Sequence, residues 1–378
     1  MKIKSSDQLQ KMGNNNKNNS VSRRNFVKTT AVATGSLLIL PAVGKTVMVL
    51  GKKAEKVADK PPNSKFGGIQ VGAITWAFRD FPPRAEDILK ATIDAGISSV
   101  ELMGDIIESY AGLPPGPKDF SGPLSPEAQA RLDKMQKSFK ISLDQLKKYV
   151  QPAVWSQIVS GIEGPTEEQK NWRINAPMTK FKELRKMFNN AGVNIHIAKL
   201  SPSVWSDREI DYAFNVAKTL GAKGVSDEIG EESCKRLVPF AENHKMYAIF
   251  HNHGQFADTG FNLDEILSLS PAIMLNFDCG HYYGTTGNNP CVFIAKYYNR
   301  IFSIHLNDNL GPQSKTPDAS KIYGQGQTPL TEVLLLLKKH AKDHKWPKHA
   351  DIDDTILTMS NSVEEVRFYV EYCRKVLV

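Results

Sequence analysis

The stretch "MYAIFHNHGQFADTGFNLDEILSLSPAIMLNFDCGH", residues 246–281, decides the fold. It opens on an apolar, β-favouring run that ends in His251 and His253. It closes on a second such run that ends in Asp278 and His281. Between them, "NLDEILSLS" carries the apolar spacing of a short helix. A strand, a helix and a second strand in succession form a βαβ unit, the connection that parallel strands require. Side chains alternate along a strand, so His251 and His253 fall on one face. That face is either buried or part of a pocket, and the two imidazoles bind a metal, move protons or fill a core.

The same rhythm extends in both directions. Upstream, strand-like segments are "IQVGAITWAF" (69–78), "SSVELM" (98–103), "VNIHIAKL" (193–200) and "AKGVSDE" (222–228). Downstream they are "IFSIHLND" (301–308) and "KHADIDD" (348–354). Helical patterns separate them, among them "RAEDILKATIDAG", "TKFKELRKMFNNAG", "SDREIDYAFNVAKTLG" with Ser206 as N-cap, "EESCKRLVPFAENHK" and "LTEVLLLLKKHAKDH". The last helix is "SVEEVRFYVEYCRKVL". The strands are short and largely apolar, as parallel strands covered by helices are. Eight alternating βα units predict a closed (β/α)8 TIM barrel rather than an open doubly wound sheet. No G-x-G-x-x-G joins an early strand to its helix, which argues against a dinucleotide site. Residues 105–175, with "YAGLPPGPKDFSGPLSPEAQ", are too long for a βα loop. They predict a helical insertion after strand 2, placed to act as a lid or as a dimer contact.

Of the 378 residues, 41% are hydrophobic and 23% charged, as in ordinary globular proteins. The net charge of +8 is misleading, because residues 1–60 hold 12 Lys/Arg against 3 Asp/Glu. The rest of the chain is close to neutral, so no polycationic face for nucleic acid is expected. The basic leader contains "SRRNFVK" (22–28), followed by the mild apolar run "TTAVATGSLLILPAVG". That is the form of a twin-arginine export signal, with Ser22, Arg23, Arg24, Phe26 and Lys28 all matching. The run is too short and too rich in Gly, Ala and Thr for a transmembrane helix. The expected organisation is a signal segment at 1–44, a linker at 45–66 and a barrel at 67–378. The implied partner is the twin-arginine translocase and the implied location the periplasm, with membrane attachment if the signal stays uncleaved. The four cysteines show no C-x-x-C spacing and read as small buried residues.

Ionisable residues gather at the C-terminal ends of the predicted strands. They are Glu101 on strand 2, Asp227 and Glu228 on strand 4, His251 and His253 on strand 5, and Asp278 and His281 on strand 6. His305 and Asp308 end strand 7, and Asp351, Asp353 and Asp354 end strand 8. In a barrel these ends converge on one mouth, where active sites lie. Each such group costs desolvation unless it is paired or bound to a metal. A mixed His/carboxylate set suits Zn²⁺, Mn²⁺, Co²⁺ or Fe²⁺ better than Ca²⁺. A metal there would polarise a carbonyl while a neighbouring side chain moves a carbon-bound proton.

The motifs "VELMG", "HNHG", "NFDCGHYYG", "SIHLND" and "YGQGQTPL" resemble, in order and spacing, the xylose isomerase-like TIM-barrel family of sugar phosphate isomerases and epimerases. The resemblance runs from about Ile69 to the C-terminus. It implies one divalent metal (Mn, Zn, Co or Mg) held by Glu, Asp, His and Glu from strands 5 to 8. Asp278 and His305 match two of those ligands, and His281 matches the substrate-side histidine of D-x-x-H. The strand 5 and strand 8 glutamates are replaced by His251 and by Asp353 of "ADIDDT". In the epimerases those two glutamates are also the acid/base pair, so the replacements speak against two-glutamate epimerisation. Asp353 is one methylene shorter, roughly 1 Å of reach. Asn307 stands where relatives often carry lysine. The family also includes 3-keto-glycoside lyases and hydrolases, which often have a histidine-rich strand 5, and inosose dehydratases. Export suits such substrates better than sugar phosphates.

The expected site is therefore His251, Asp278, His305 and Asp353 as metal ligands, with His253, Glu101, Glu228 and His281 as proton carriers. Lys199 is expected to anchor a substrate oxygen or to pair with Glu228. Backbone N–H groups at Gly324 and Gln325 are expected to meet phosphate or sugar hydroxyls. The partner implied is a small sugar or glycoside, and barrels of this family often form homodimers. The competing readings are an endonuclease-IV-like nuclease and a non-catalytic periplasmic sugar-binding barrel.

Overall fold

The computed structural model describes residues 61–378 apart from 117–118, 121, 140–141, 145–146 and 148–151. The export motif and most of the linker thus lie outside the described residues. Eight parallel strands form the barrel: β1 (Ile69–Ile74), β2 (Ser99–Met103), β3 (Asn194–Lys199), β4 (Gly224–Glu228), β5 (Tyr247–His251), β6 (Ile273–Asp278), β7 (Ile301–Leu306) and β8 (His349–Ile352). Each pairs with the next in chain order, β8 pairs with β1, and β1 with β2, so the sheet closes on itself.

Alternation sorts the two faces of each strand. On β2, Val100 and Leu102 join the apolar layer between strands and helices, while Glu101 reaches the interior and meets Asn276 and His305. The interior is polar over much of its depth. His196 bonds Ser99 (2.9 Å) and Asp351 (3.0 Å), and Ser303 donates to Asp351 as well. Asp351 therefore lies a layer below the mouth, not among the mouth carboxylates as the sequence suggests. Its bulk is accommodated by Gly72, where a Cβ would sit 1.9 Å from Asp351 Oδ1.

The barrel unit starts before Gly67. Lys65–Phe66 pairs antiparallel with β1. Ser64, wholly buried, donates to the Val71 carbonyl (2.5 Å). The Pro61-Pro62 pair read as linker because composition carries no sign of this one buried hydroxyl.

Helix α1 (Ala85–Asp94) follows β1, and the insertion after β2 is helical: α2 (Gly104–Ala111), α3 (Pro126–Phe139), α4 (Pro152–Glu163) and α5 (Glu167–Asn175). Helix α6 (Met178–Asn190) then returns to the barrel, and α7 (Asp207–Leu220) follows β3. Ser206 precedes α7 as expected, its N–H bonding Glu209 (3.2 Å), and Gly221 ends it at φ 82°. Further along, α8 (Cys279–Thr286) leaves β6 directly. Among the described residues no helix is long and apolar enough to cross a membrane. Cys234, Cys279 and Cys373 are buried free thiols.

Candidate metal centre and its surroundings

At the C-terminal mouth, His251, Asp278, His305 and Asp353 each offer one ligand atom, and the four atoms lie within 4.8 Å of one another. They come from β5, from β6, from β7 and from the end of β8, the four strands expected. Parallel register sets this convergence, since Asp278 sits beside His305 and His305 beside Asp351, two residues below Asp353.

Asp278 ends β6 and is the N-cap of α8, its Oδ1 accepting from the His281 N–H (2.6 Å). The D-x-x-H spacing is thus that of an N-cap and its N3 residue. Its other oxygen, Oδ2, accepts from Asn307 Nδ2 (2.7 Å), and the same amide donates to Asp353 Oδ2 (2.8 Å). Asn307 thereby joins the two carboxylates that the sequence pattern separates by 75 positions of chain.

His305 is held from behind. Its Nε2 lies 2.9 Å from Glu101 Oε2, and Asn276 Nδ2 donates to the same oxygen (2.6 Å). A carboxylate only accepts, so Nε2 carries a proton, which leaves Nδ1 as the nitrogen that would meet a metal when the ring is neutral. That Nδ1 is buried, lies 3.0 Å from Asp353 Oδ1 and is not aligned to bond it. His251 repeats the pattern. Its Nδ1 lies 3.5 Å from Glu228 Oε2, and its buried Nε2, 3.6 Å from Asp278 Oδ2, has no hydrogen-bond partner.

Two buried imidazole nitrogens thus point, beside two carboxylates, at a common region rather than at partners. Ligand atoms on one ion at about 2.0–2.2 Å sit about 3–3.5 Å apart, close to these separations. A mixed N/O donor set of this kind fits a divalent transition metal.

Glu101, expected as a proton carrier, is wholly buried, as Asp278 and His305 are, and its carboxylate meets His305 and Asn276. Burial opposes its charge, but the His305 hydrogen bond outweighs this and holds the carboxyl below its usual range. Its place behind His305 is that of a residue that orients a ligand. Glu101→Gln is therefore expected to weaken metal binding by about 10–100-fold while the fold is kept. Competition with a chromophoric chelator measures this, and unchanged affinity would remove Glu101 from that role.

His253 lies past the end of β5, where Asn252 ties the chain to β6 through Asp278 N (2.9 Å). Its side chain is 46% exposed and its Nε2 lies 3.3 Å from Glu228 Oε2. The two histidines of "HNHG" still meet, with ring centroids 4.7 Å apart. Glu228 Oε1 accepts from Lys199 Nζ (2.7 Å), so Lys199 pairs with Glu228.

His281 Nδ1 lies 3.0 Å from Asp318, which Asn309 also holds (2.7 Å). Burial disfavours its charge, but Asp278 and Asp318 more than reverse this and raise its pKa to about 10. Its ring centroid is 4.7 Å from that of His253.

The Gly-rich turn departs from expectation. Gly324 and Gly326 donate their N–H groups to Asp308 Oδ2 (2.7 and 3.0 Å), and Gln325 N bonds the Ile322 carbonyl (2.8 Å). An internal carboxylate occupies the backbone nest assigned to substrate. Gly326 permits this, since a Cβ would lie 2.2 Å from Asp308 Oδ1. Sequence reasoning also missed Asn276 and Asp318. Period-two alternation from Asp278 points to Asn276, whereas nothing local marks Asp318, 37 positions from His281.

No protein-family model matches the chain. Over 80 residues it is 32% identical to inosose dehydratase of Clostridium beijerinckii, a stretch that makes up 20% of this chain. The match spans 26% of that relative's length, about a quarter. Among solved structures the chain is similar to AsbF of Bacillus anthracis, described as a probable 3-DHS dehydratase. There the identity is 12%, coverage 80% of this chain and 98% of that one, and the TM-score 0.49. It is also similar to an uncharacterized protein of Parabacteroides distasonis (18% identity, 82% and 99% coverage, TM-score 0.48). A xylose isomerase-like TIM barrel protein of Mycobacterium smegmatis, in complex with magnesium, gives 12% identity, 82% and 96% coverage and a TM-score of 0.45. The barrel assignment itself rests on the strand register of this chain.

Proposed function

We propose that this chain is a divalent-metal-dependent carbohydrate enzyme that removes a proton beside a sugar carbonyl to give an enediolate. The reaction class is sugar isomerisation or elimination from a 3-keto-glycoside, with elimination favoured. The observation that carries the reading is the convergence of His251, Asp278, His305 and Asp353, with two buried imidazole nitrogens unpartnered. Those four residues would hold the metal. A divalent ion there supplies Lewis acidity, polarising the carbonyl and stabilising the negative charge that follows proton loss.

The chain's own residues supply the rest. His253, half-exposed at the mouth and set against Glu228, is placed to take the carbon-bound proton. Glu228 can accept the resulting charge on the imidazole, while Lys199 fixes its orientation through the other oxygen. His281, held protonated by Asp278 and Asp318, is placed to return a proton to a departing oxygen. Two imidazoles with such different surroundings divide base and acid between them, the logic by which one site runs both steps. Histidine on strand 5 in place of a glutamate removes one of the two epimerase carboxylates, which favours elimination. The stretch shared with inosose dehydratase supports the same direction.

Export by the twin-arginine pathway to the periplasm is proposed on "SRRNFVK" alone. The reading is tested with purified full-length protein in D₂O, incubated with 3-keto-glucosides and plain ketoses. Deuterium at the carbon beside the carbonyl is expected, together with its loss after chelation and return with added Mn²⁺ or Zn²⁺. Absence of exchange with every keto-sugar, in protein shown by elemental analysis to be metal-loaded, would sink it. Protein that takes up no metal at all would favour a non-catalytic binding barrel.

A further inference from the structure

A cavity of about 1030 Å³ lies beside the mouth of the barrel. Pockets for drug-sized ligands span about 300–1,000 Å³, so this one has room for more than a single sugar ring. One wall is the insertion, with Ser109 of α2 and Ser160 and Gly161 of α4. The other is the loop after β3, with Ser201 and Trp205. Met103 and Lys199, at the ends of β2 and β3, also line it. Lys199 links the cavity to the centre described above, because it bonds Glu228 Oε1 (2.7 Å). Glu228 Oε2 in turn lies 3.3 Å from His253 and 3.5 Å from His251. The cavity therefore abuts the proposed proton-transfer groups across one ion pair.

Its chemistry selects among occupants. Five acidic and five basic side chains line it, so it has no formal charge bias. Three of the cations are already engaged: Arg173 by Glu108 and Glu209, Lys199 by Glu228, and Lys170 by Glu167. A phosphate would need cations aimed at it, as a bidentate arginine is. Arg131 donates to the Ile162 carbonyl (2.7 Å), and what remains toward the ligand is Arg208, hydroxyls, prolines at 83, 114, 115 and 165, and the Trp205 indole, whose ring is stacked by Arg173 at 3.8 Å. Mixed walls, with balanced charges largely paired among themselves and apolar surface between them, suit a neutral, partly hydroxylated group.

We infer that this cavity is a subsite for the second unit, sugar or aglycone, of a neutral glycoside. Its first ring would occupy the centre at His251, Asp278, His305 and Asp353. The inference rests on the proposed function and narrows its substrate to glycosides of at least two units, excluding free monosaccharides and sugar phosphates.

Gly161 supplies the test. It lines the cavity, is part of α4, and a Cβ there meets nothing within 4 Å. Gly161→Trp thus adds an indole at the cavity wall from an unobstructed Cβ position, and Gly161→Ala serves as the size control. Calorimetric titration of metal-loaded full-length protein compares glucose, glucose 6-phosphate, cellobiose, maltose and p-nitrophenyl β-glucoside. At least one neutral glycoside is expected to bind about tenfold or more tighter than glucose. That preference is expected to persist in Gly161→Ala and to fall toward unity in Gly161→Trp. Equal binding of glucose and every glycoside overturns the subsite, as does no glycoside binding at all. Tighter binding of glucose 6-phosphate, or an unchanged preference in Gly161→Trp, overturns it too. The metal reading fails separately, if the wild-type chain shows the glycoside preference yet takes up no divalent ion.

Discussion

Asp278→Asn is expected to lower divalent-metal affinity by about a hundredfold or more, with a stability loss of about 1–3 kcal/mol where its NH2 replaces the acceptor of Asn307 Nδ2. Even partners behind metal ligands contribute about 10–100-fold, and a direct charged ligand should reach at least the top of that range. The substitution separates two roles of one side chain. Asp278 Oδ1 caps α8 through the His281 N–H, and an asparagine oxygen can still accept that bond. The negative charge beside His251 and Asn307 is what disappears. Asp278→Ala should add a stability loss of about 1 kcal/mol from the missing cap. It also leaves the His281 N–H without its acceptor. Elemental analysis after dialysis, chelator competition and thermal melting distinguish the two variants. Full metal content in Asp278→Asn would take this carboxylate out of the centre.

Arg173→Ala should be the most destabilising single change outside that centre, at roughly 3–5 kcal/mol. The guanidinium forms a two-pronged pair with Glu108 (2.8 and 3.0 Å) and reaches Glu209 at 3.2 Å. Tyr212 also donates to Glu108 (3.2 Å), and the cation stacks on Trp205. The three charged side chains are at most 8% exposed. Deleting the cation leaves two carboxylates buried without compensation, and breaking such a pair costs far more than the pair itself contributes. Arg173→Lys should recover only part of the loss, because an ammonium cannot match the fork or stack flat on the indole. Urea unfolding measures both. A loss below about 1 kcal/mol in Arg173→Ala would match an exposed ion pair and would show that this network is not desolvated. Because Arg173 lines the large cavity, its loss is also expected to weaken any ligand held there.

Both predictions depend on how residues distant in sequence share one space, and the sequence disclosed that unevenly. The repeating strand–helix pattern determined the barrel, because period-two and period-3.6 apolar spacing are local properties of the chain. It also determined which ends of the strands carry ionisable groups. His251, Asp278, His305 and Asp353 were named on that basis with the family resemblance, and the structure brings them together. The depth of each carboxylate was not local. Asp351 reads like a mouth residue but lies a layer below, bonded to His196, because strand stagger and not strand order sets its height.

The partners of those residues were equally out of reach. Asp318 meets His281 only because the loop after β7 folds back over α8. Asp308 takes the glycine N–H groups that the motif "YGQGQTP" seemed to offer a substrate. The insertion could be recognised by its length, but not the cavity it makes with the loop after β3. The sequence by itself thus determined the architecture and the ionisable residue types at the strand ends, since periodicity and residue identity suffice for both. Only the tertiary structure decided which groups meet at the candidate metal centre, which stand behind them and which face open space. Desolvation and hydrogen-bond geometry depend on neighbours supplied from every strand of the closed barrel.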